Sequence, residues 1–452
     1  METVDLSLLD LPDDALLAVL AYLPPAELLG CRVVCRRLRD LCLHRHLWKS
    51  AAIGCELLPA LRVVPCLRKL SFVNPEQMVT LAQMKKMPSL LASTECVVAE
   101  LEVRADVYFA GPEVPLATAM VKKFSALGGL RALRLSFFSL MDSHSLALLL
   151  KAALGVSGLR ELGIGLCSRI PSHPALWSLT LKRPSLTKLQ YVGKLNYVLV
   201  QLLTTHASTL EDVSVCLGTD HLPMNFLRMM PRLRSLECKA DALSYSAALS
   251  NLNTLKFINE DLPPDFPSSA LDFLSQAPHL RSVSFPVPRK NHAAPLQALA
   301  SSPSARFVES LTLSCVGWDL DAIGVELAAN IVPLFPSLQS LSLECWLHGD
   351  DLDGFLQAVT PTSAPSLTSL SMNPPLGECA HGWLHSPAVQ ELLERNPRLH
   401  LRVLIRNQAE CRCEWCGLGC HEELRKLDDL QHLAMAAHRR MAGCPTGCRR
   451  WP

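Results

Sequence analysis

Cysteine is the residue type with the most chemical potential in this sequence, because six of its eighteen cysteines fall after residue 410. Structural zinc takes four such ligands in a tetrahedron. The two cysteine groups bracket a helix-like run over 422–441, which would allow them to meet. Their spacing is not a clean C-x2-C…C-x2-C arrangement, so two interpretations stay open: a structural zinc site, or a reduced tail that caps the preceding chain. The candidate ligands are Cys411, Cys413, Cys416, Cys420, Cys444 and Cys448.

Catalytic motifs are missing from the sequence. There is no G-x-S-x-G, no H-E-x-x-H and no P-loop. A RING-type ligase would need two zinc sites from eight interleaved ligands, and the tail histidines do not supply the required spacing. We therefore expect a protein that is not an enzyme, with no cofactor other than the zinc considered above.

Composition and charge indicate which broad class of protein the chain belongs to. Hydrophobic residues make up 49% and charged residues 19%, which favours a folded chain over a disordered one. The formal net charge of +1 lacks the electrostatic footprint of a nucleic-acid binder. The early acidic residues are unlike a signal peptide, and the most apolar stretch, 146–156, is too short to cross a bilayer. We expect an intracellular protein, cytoplasmic, nuclear or both, that binds neither nucleic acid nor membrane.

The first fifty residues read as a compact helical module. Pro12 followed by two aspartates is typical of a helix start, and Pro24-Pro25 ends that helix while favouring the next. A third helix is predicted over Val33, Val34, Leu38 and Leu41, with Trp48 closing the segment. We assign this module to residues 6–50 and a linker to 51–64. A unit this small needs a further surface, either a binding partner or the rest of the chain that it caps.

The residues of this module resemble the F-box in nearly every anchor position. One departure is Leu38, where many family members carry tryptophan; this changes core packing. The anchors in this sequence are Leu11-Pro12, Leu16, Leu20, Leu23-Pro24, Leu28, Val34-Cys35-Arg36, Leu38, Arg39, Leu41 and Leu47-Trp48.

The resemblance implies a binding partner. F-boxes dock a Skp-type adaptor, which in turn binds a cullin and its RING subunit. The apolar stripe from Leu16 to Leu23 also suits helix-in-groove docking. Carried over residue by residue, the expected adaptor contact comprises Leu11, Pro12, Leu16, Leu20, Leu23, Leu28, Val34, Cys35, Leu38 and Trp48, with Leu41 completing the module.

A repeated phrase L-x-x-L-x-L fills the next 340 residues or so. Offsets between successive phrases cluster near 28 residues, the length of a strand plus a helix or turn. This is the leucine-rich-repeat signature, and we predict about 12–13 irregular repeats over 65–405. The phrases begin at Leu67, Val98, Leu130, Leu159, Leu186, Leu210, Leu233, Leu252, Leu280, Val308, Leu338 and Leu367, with a frayed version near Leu399.

The predicted fold class is α/β: a short three-helix F-box, then a leucine-rich-repeat solenoid shaped as a horseshoe, then a small Cys-rich helical tail over 406–452. Helix-like runs at 145–154, 224–230 and 323–334 would lie outside the horseshoe. Proline-rich stretches at 111–115, 286–303 and 373–387 read as loops. An ordinary α/β domain is the alternative, but it would rarely repeat one leucine phrase a dozen times.

The x positions of the phrase should point out of the solenoid and form an extended concave surface. In its first half these positions are rich in charge, and from Val308 onward we predict uncharged polar groups, mainly serine and threonine together with Gln339. We predict that this surface binds a protein substrate of a ubiquitin ligase, although solvated strand faces and a repeat scaffold without a ligase role are alternatives. The candidate substrate contacts are Arg131, Arg134, Arg160, Lys188, Arg234, Lys256 and Arg281.

Overall fold

A computed structural model gives the architecture of two compact units, Met1–Leu222 and Pro223–Pro452, which we describe separately. No helix among the described residues is long and apolar enough to span a membrane. The structure describes residues 8–73, 81–105, 113–137, 143–166, 183–217, 224–240, 243, 249–258, 266–287, 293–315, 330, 332–344, 349–374, 379–405 and 433–437.

The N-terminal module contains four short helices within its described residues, where three were predicted. They are α1 (Asp13–Leu20), α2 (Pro25–Cys31), α3 (Arg36–Leu41) and α4 (Arg45–Trp48), preceded by a 3-10 turn at Leu8–Asp10. The proline-led starts of α1 and α2 are confirmed. Trp48, predicted to close the segment, ends the additional helix α4.

The third helix begins later than predicted. Cys35 has an extended backbone, and its Sγ accepts a hydrogen bond from the backbone N–H of Leu38 at 3.4 Å. This N-cap starts α3 at Arg36, so Val33 and Val34 lie in the turn before the helix and not on its apolar face. The prediction that they pack within the third helix was wrong, because a local cap decides where the helix starts.

The rest of the first unit is a parallel sheet with helical crossovers. Seven strands pair in chain order, each parallel to the next. The strands are β1 (Ala52–Ile53), β2 (Cys66–Val73), β3 (Val97–Ala105), β4 (Ala132–Phe137), β5 (Glu161–Leu166), β6 (Lys188–Val192) and β7 (Asp212–Cys216). The described helices between them are α5 (Leu81–Ser93), α6 (Glu113–Ala126), α7 (Ser143–Leu154) and α8 (Tyr197–His206).

The predicted linker over 51–64 is part of the fold. Its first residues form β1 and pair with β2, and a 3-10 segment follows at Cys55–Arg62. Ile53, Leu58 and Leu61 are buried. The prediction of a linker was therefore wrong, because these apolar side chains close the end of the sheet next to the N-terminal module.

The second unit repeats the same plan. Its parallel strands are β8 (Ser235–Cys238), β9 (Thr254–Phe257), β10 (Ser282–Val287), β11 (Ser310–Cys315), β12 (Ser340–Glu344), β13 (Ser369–Met372) and β14 (His400–Ile405). The described helices are α9 (Met224–Arg228), α10 (Ser268–Gln276), α11 (Ala294–Ala300), α12 (Gly349–Ala358), α13 (Ala380–Leu384) and α14 (Pro387–Arg395), with 3-10 turns at Ala305–Phe307 and Val332–Leu334.

The repeated phrase coincides with the strands. Every residue predicted to begin a phrase, from Leu67 to Leu399, is buried, and each lies just before or at the start of one of β2 to β14. The next leucines of the phrase form continuous buried rows across the strands. In the first unit one such row is Leu70, Leu101, Leu133, Leu162, Leu189 and Val213. Each unit's sheet is thus consistent with a repeat solenoid.

The predicted helix runs at 145–154 and 224–230 correspond to α7 and α9. Most of the third run, over 323–334, lies outside the described residues, and its end forms the 3-10 turn Val332–Leu334.

The proline-rich stretches predicted as loops are largely helix starts. Helix α6 begins at Glu113, α11 fills the middle of 286–303, and α13 lies within 373–387. Pro115, Pro295 and Pro387 all lie in the first turn of a helix. The loop interpretation was wrong at these places because the first helical turn leaves its N–H groups without an intrahelical acceptor, so proline costs nothing there.

The tail is described only at β15 (Leu433–Ala437), which pairs antiparallel with β14. The helix predicted over 422–441 is therefore wrong at these residues. A strand is favoured here because it pairs the backbone groups along the outer edge of β14. The six tail cysteines lie outside the described residues, so the zinc site stays a prediction.

Candidate protein-binding surfaces

The core of the N-terminal module is built from residues that were predicted to contact an adaptor. Leu16 is 1% exposed and Trp48 is fully buried, with its indole N–H donating to the carbonyl of Cys42 at 2.7 Å. These side chains hold the helices together and are not presented to a partner. The predicted contact residues that are buried in this way are Leu16, Leu20, Leu28, Leu38 and Trp48.

The remaining predicted contacts reach the surface. Pro12 and Val34 are exposed, whereas Leu11, Leu23 and Cys35 are half-buried. Leu41, which was predicted to complete the module, is also half-buried. The structure also exposes apolar side chains that sequence reasoning did not select, above all Tyr22 at 90% and Val33 at 85%. The sequence signal for Tyr22 was available, since it follows the last turn of α1 and lies two residues before Pro24-Pro25.

The exposed large apolar side chains concentrate in this module. Among the described residues, six of the eleven such side chains lie between positions 8 and 34. A concentration of this kind on a small folded unit marks a protein-interaction surface. The six are Leu8, Leu9, Val19, Tyr22, Val33 and Val34.

Arg37 fixes the segment that precedes α1. Its guanidinium forms an ion pair with Asp13 at 2.6 Å, donates to the carbonyl of Leu11 at 2.7 Å, and donates to the carbonyl of Leu9. One side chain on α3 therefore holds the backbone of Leu9 and Leu11 against the module. The planar fork of arginine suits this role because it offers several donors in a fixed geometry.

The second candidate surface is the polar sheet face, defined in each unit as the x positions of the leucine phrases, which accompany β2 to β7 in the first unit and β8 to β14 in the second. All seven predicted substrate contacts lie on it and are exposed or half-buried. Four of the seven are not free cations, because each forms an ion pair with a carboxylate at an x position of a neighbouring phrase. The distances are 3.4 Å for Arg134–Glu161, 2.8 Å for Lys188–Asp212, 2.7 Å for Lys256–Glu237 and 2.5 Å for Arg281–Glu309.

In the first unit these ion pairs link the strands two by two. They link β2 with β3, through Lys69–Glu102 at 2.6 Å and Arg68–Glu100 at 3.7 Å, then β4 with β5 and β6 with β7. The sign of charge therefore alternates across the strands. Burial alone would raise the pKa of the Glu102 carboxyl, but the hydrogen bonds from Lys69 and Ser71 and the charges of Lys69 and Arg134 hold that pKa below its ordinary value.

Three predicted contacts, Arg131, Arg160 and Arg234, form no ion pair with any carboxylate in the described part of the chain. The sequence indicated one of the ion pairs, since Lys188 and Asp212 have opposite charges and occupy equivalent x positions of successive phrases. On β11 to β13 the x positions are mostly uncharged, as predicted, with half-buried hydroxyls of Ser310, Thr312, Ser340, Ser342, Ser369 and Ser371. Glu309, directly before β11, and the exposed Glu344 at the end of β12 are acidic exceptions.

Comparison with family models gives the N-terminal module an identity. Residues 8–53 match the F-box-like family model. The chain therefore carries an F-box-like domain, which extends from the 3-10 turn at Leu8–Asp10 to β1. Among curated proteins, no relative matches this chain. The match to the F-box-like domain supports membership of the F-box protein family and the expectation of a Skp-type adaptor.

Proposed function

We propose that this protein is the substrate-recognition subunit of a Skp-cullin-F-box ubiquitin ligase. Its F-box-like domain docks the Skp-type adaptor, and through the adaptor it joins the cullin and RING subunits. Its polar sheet face binds the protein substrate. In this proposal the chain is a binding protein and has no catalytic centre of its own.

The observation that carries the proposal is the exposed apolar surface of the F-box-like domain. Six large apolar side chains, including Tyr22, Val33 and Val34, are exposed within a module of four short helices. Burying about 100 Å² of apolar surface is worth roughly 2.5 kcal/mol, so these side chains supply a strong driving force for association. The hydrogen bonds from Arg37 to the carbonyls of Leu9 and Leu11 also support adaptor binding, because they preorganise the backbone at these two residues.

We interpret the two sheets as leucine-rich repeats. The interpretation is supported by the leucine phrase whose first residues are all buried and by the parallel pairing of one strand per phrase. A face made of short parallel strands, with polar side chains at alternate positions, offers a partner many independent contacts. This suits recognition of a protein substrate.

The proposal is tested by capture of purified Skp-type adaptor on the full chain. We expect wild type to retain the adaptor and the double variant Val33→Glu, Val34→Glu to lose it by at least about tenfold in Kd, because two carboxylates would be buried without partners. A Leu11→Ala, Pro12→Ala variant should also weaken capture.

Leu148→Glu is the matched control, since Leu148 is an exposed apolar residue on α7, outside the F-box-like domain. It should bind adaptor like wild type. Failure of wild type to bind adaptor would overturn the proposal. Adaptor binding without recruitment of cullin would point instead to a repeat scaffold that has no ligase role.

A further inference from the structure

The pairing of charges on the polar sheet face leaves two neighbouring arginines without a counter-charge. Arg131 and Arg160 stand at the first x position of successive phrases, directly before β4 and β5, and both are exposed. No carboxylate in the described residues pairs with either one. Like charges on neighbouring strands repel each other, so this arrangement costs stability unless an anion binds between them.

The geometry of these two positions can be read from an equivalent pair in the second unit. There the N–H of Glu309 donates to the carbonyl of Arg281 at 2.7 Å, and the two side chains form an ion pair. The N–H of Arg160 likewise donates to the carbonyl of Arg131 at 2.8 Å. Side chains in this register reach each other, so the two guanidiniums can reach one shared anion.

The surroundings of the two arginines favour the same conclusion. The Arg131 guanidinium donates to the carbonyl of Gly158 at 3.4 Å, which places it on the side of β5, where Arg160 lies. Gly158 has φ +74°, and a Cβ there would lie 2.8 Å from Arg131 Nη1. The glycine therefore leaves room for the guanidinium of Arg131 at this position. The same register positions on the flanking strands hold Ala99 and Thr187, neither of which is acidic.

We propose that Arg131 and Arg160 together bind a carboxylate of an acidic peptide segment, an Asp or Glu side chain on the protein partner. The inference rests on the proposed function in taking the polar sheet face as the substrate surface. It goes further in naming the partner's chemistry and in selecting two of the seven predicted cations. Carboxylates of this chain already pair with Arg134, Lys188, Lys256 and Arg281. Of the three predicted cations without an ion pair, Arg131 and Arg160 are the two on successive phrases, so they carry the specificity.

The test measures binding of a fluorescein-labelled peptide of four Glu-Gly repeats to the full chain by fluorescence anisotropy. We expect saturable binding that weakens as salt rises, and no binding of the corresponding Gln-Gly peptide. The variant Arg131→Gln, Arg160→Gln should lose at least about tenfold in affinity, because a single charge-assisted hydrogen bond is typically worth that much.

The control variant is Lys122→Gln, Lys151→Gln, which removes the same net charge from exposed positions on α6 and α7. It should bind the peptide within about twofold of wild type, since these lysines lie on helices and not on the polar sheet face. An equal loss of peptide affinity in both variants would show that binding depends only on the overall charge of the protein, and would overturn the proposal. So would wild-type affinity in the arginine variant, or no binding of the Glu-Gly peptide by wild type.

Two further arms separate the alternatives. A phosphoserine-Gly peptide that binds when the Glu-Gly peptide does not would overturn the carboxylate in favour of a phosphate ligand. Adaptor capture is measured on the same protein preparations: adaptor binding with no peptide binding overturns only this inference, and peptide binding with no adaptor binding overturns only the proposed function.

Discussion

His206 is a buried histidine that acts as a hydrogen-bond acceptor. It ends α8 and is 5% exposed, and its Nδ1 accepts from the backbone N–H of Ser185 at 3.0 Å and of Leu186 at 3.4 Å. Burial lowers the pKa of this imidazole from 6.5 to about 4. A protonated ring could no longer accept either hydrogen bond, so the neutral form holds α8 to the start of the next phrase.

We predict that the first unit loses stability as the pH falls from 6.5 towards 4. The folded pKa lies below the unfolded one, so the unfolded state binds the proton more readily in this window, and stability is fully present only above pH 6.5. Between pH 7 and pH 5 the loss from His206 should be about 2 kcal/mol. Urea unfolding at a series of pH values measures it.

His206→Asn is the comparison variant for this prediction, since its Oδ1 can accept a hydrogen bond but does not titrate. The difference in pH slope between wild type and variant isolates the contribution of His206. Equal slopes for the two proteins would show that folding does not lower the pKa of His206, and would contradict this prediction.

At the scale of elements, the F-box-like domain depends on very few core side chains. Trp48 is fully buried at the end of α4, and its hydrogen bond to Cys42 also satisfies a buried carbonyl. Helix α4 contacts β2, and Cys66 at the start of β2 donates to the carbonyl of Arg45 at 3.7 Å. The module is thus joined to the sheet of the first unit through α4.

We predict that Trp48→Ala unfolds the F-box-like domain while the sheet remains folded. The substitution should cost about 3–5 kcal/mol, which is roughly all that a core of this size supplies. Trp48→Phe should cost only about 1–3 kcal/mol, since it mainly leaves the carbonyl of Cys42 without a donor. Hydrogen exchange of peptides from 8–53 measures the effect, and peptides from β4 and β5 serve as the internal reference. Unchanged protection of 8–53 in Trp48→Ala would contradict this account.

Ion pairs between neighbouring strands determine which charges of the polar sheet face remain unpaired. Ion pairs at the surface contribute only about 0–1 kcal/mol each, so the pairs between β2 and β3, β4 and β5, and β6 and β7 do little for stability. Their larger effect is to neutralise most of the polar sheet face. A cation without a partner, such as Arg160, then stands out as a site for an external anion.

At the scale of the whole molecule, the proposed function assigns catalysis to other proteins. We predict that the full chain, mixed with ubiquitin, an activating enzyme and a conjugating enzyme, forms no ubiquitin conjugates. Addition of the Skp-type adaptor and the cullin with its RING subunit should produce conjugates, detected by immunoblot. The Val33→Glu, Val34→Glu variant should abolish them. Conjugates formed by the chain alone would instead identify it as an enzyme.

The sequence determined the repeating plan of the two sheets. The leucine phrase marks the side chains that must leave water, and a strand presents alternate side chains to opposite faces, so the pattern fixes which residues are buried. All thirteen predicted starting positions are buried for this reason. The F-box-like domain was likewise predictable, because its anchors recur at fixed spacing over a short segment.

Only the tertiary structure decided which residues are available to a partner. Leu16 and Leu20 look like a docking stripe in sequence, but the other helices of the module cover them. Arg134 and Arg131 look equivalent as x positions, but only Arg134 has a carboxylate within reach, on the next strand. Charge pairing joins side chains that are 19 to 33 positions apart in the chain, and the register of the folded strands is what brings those side chains together.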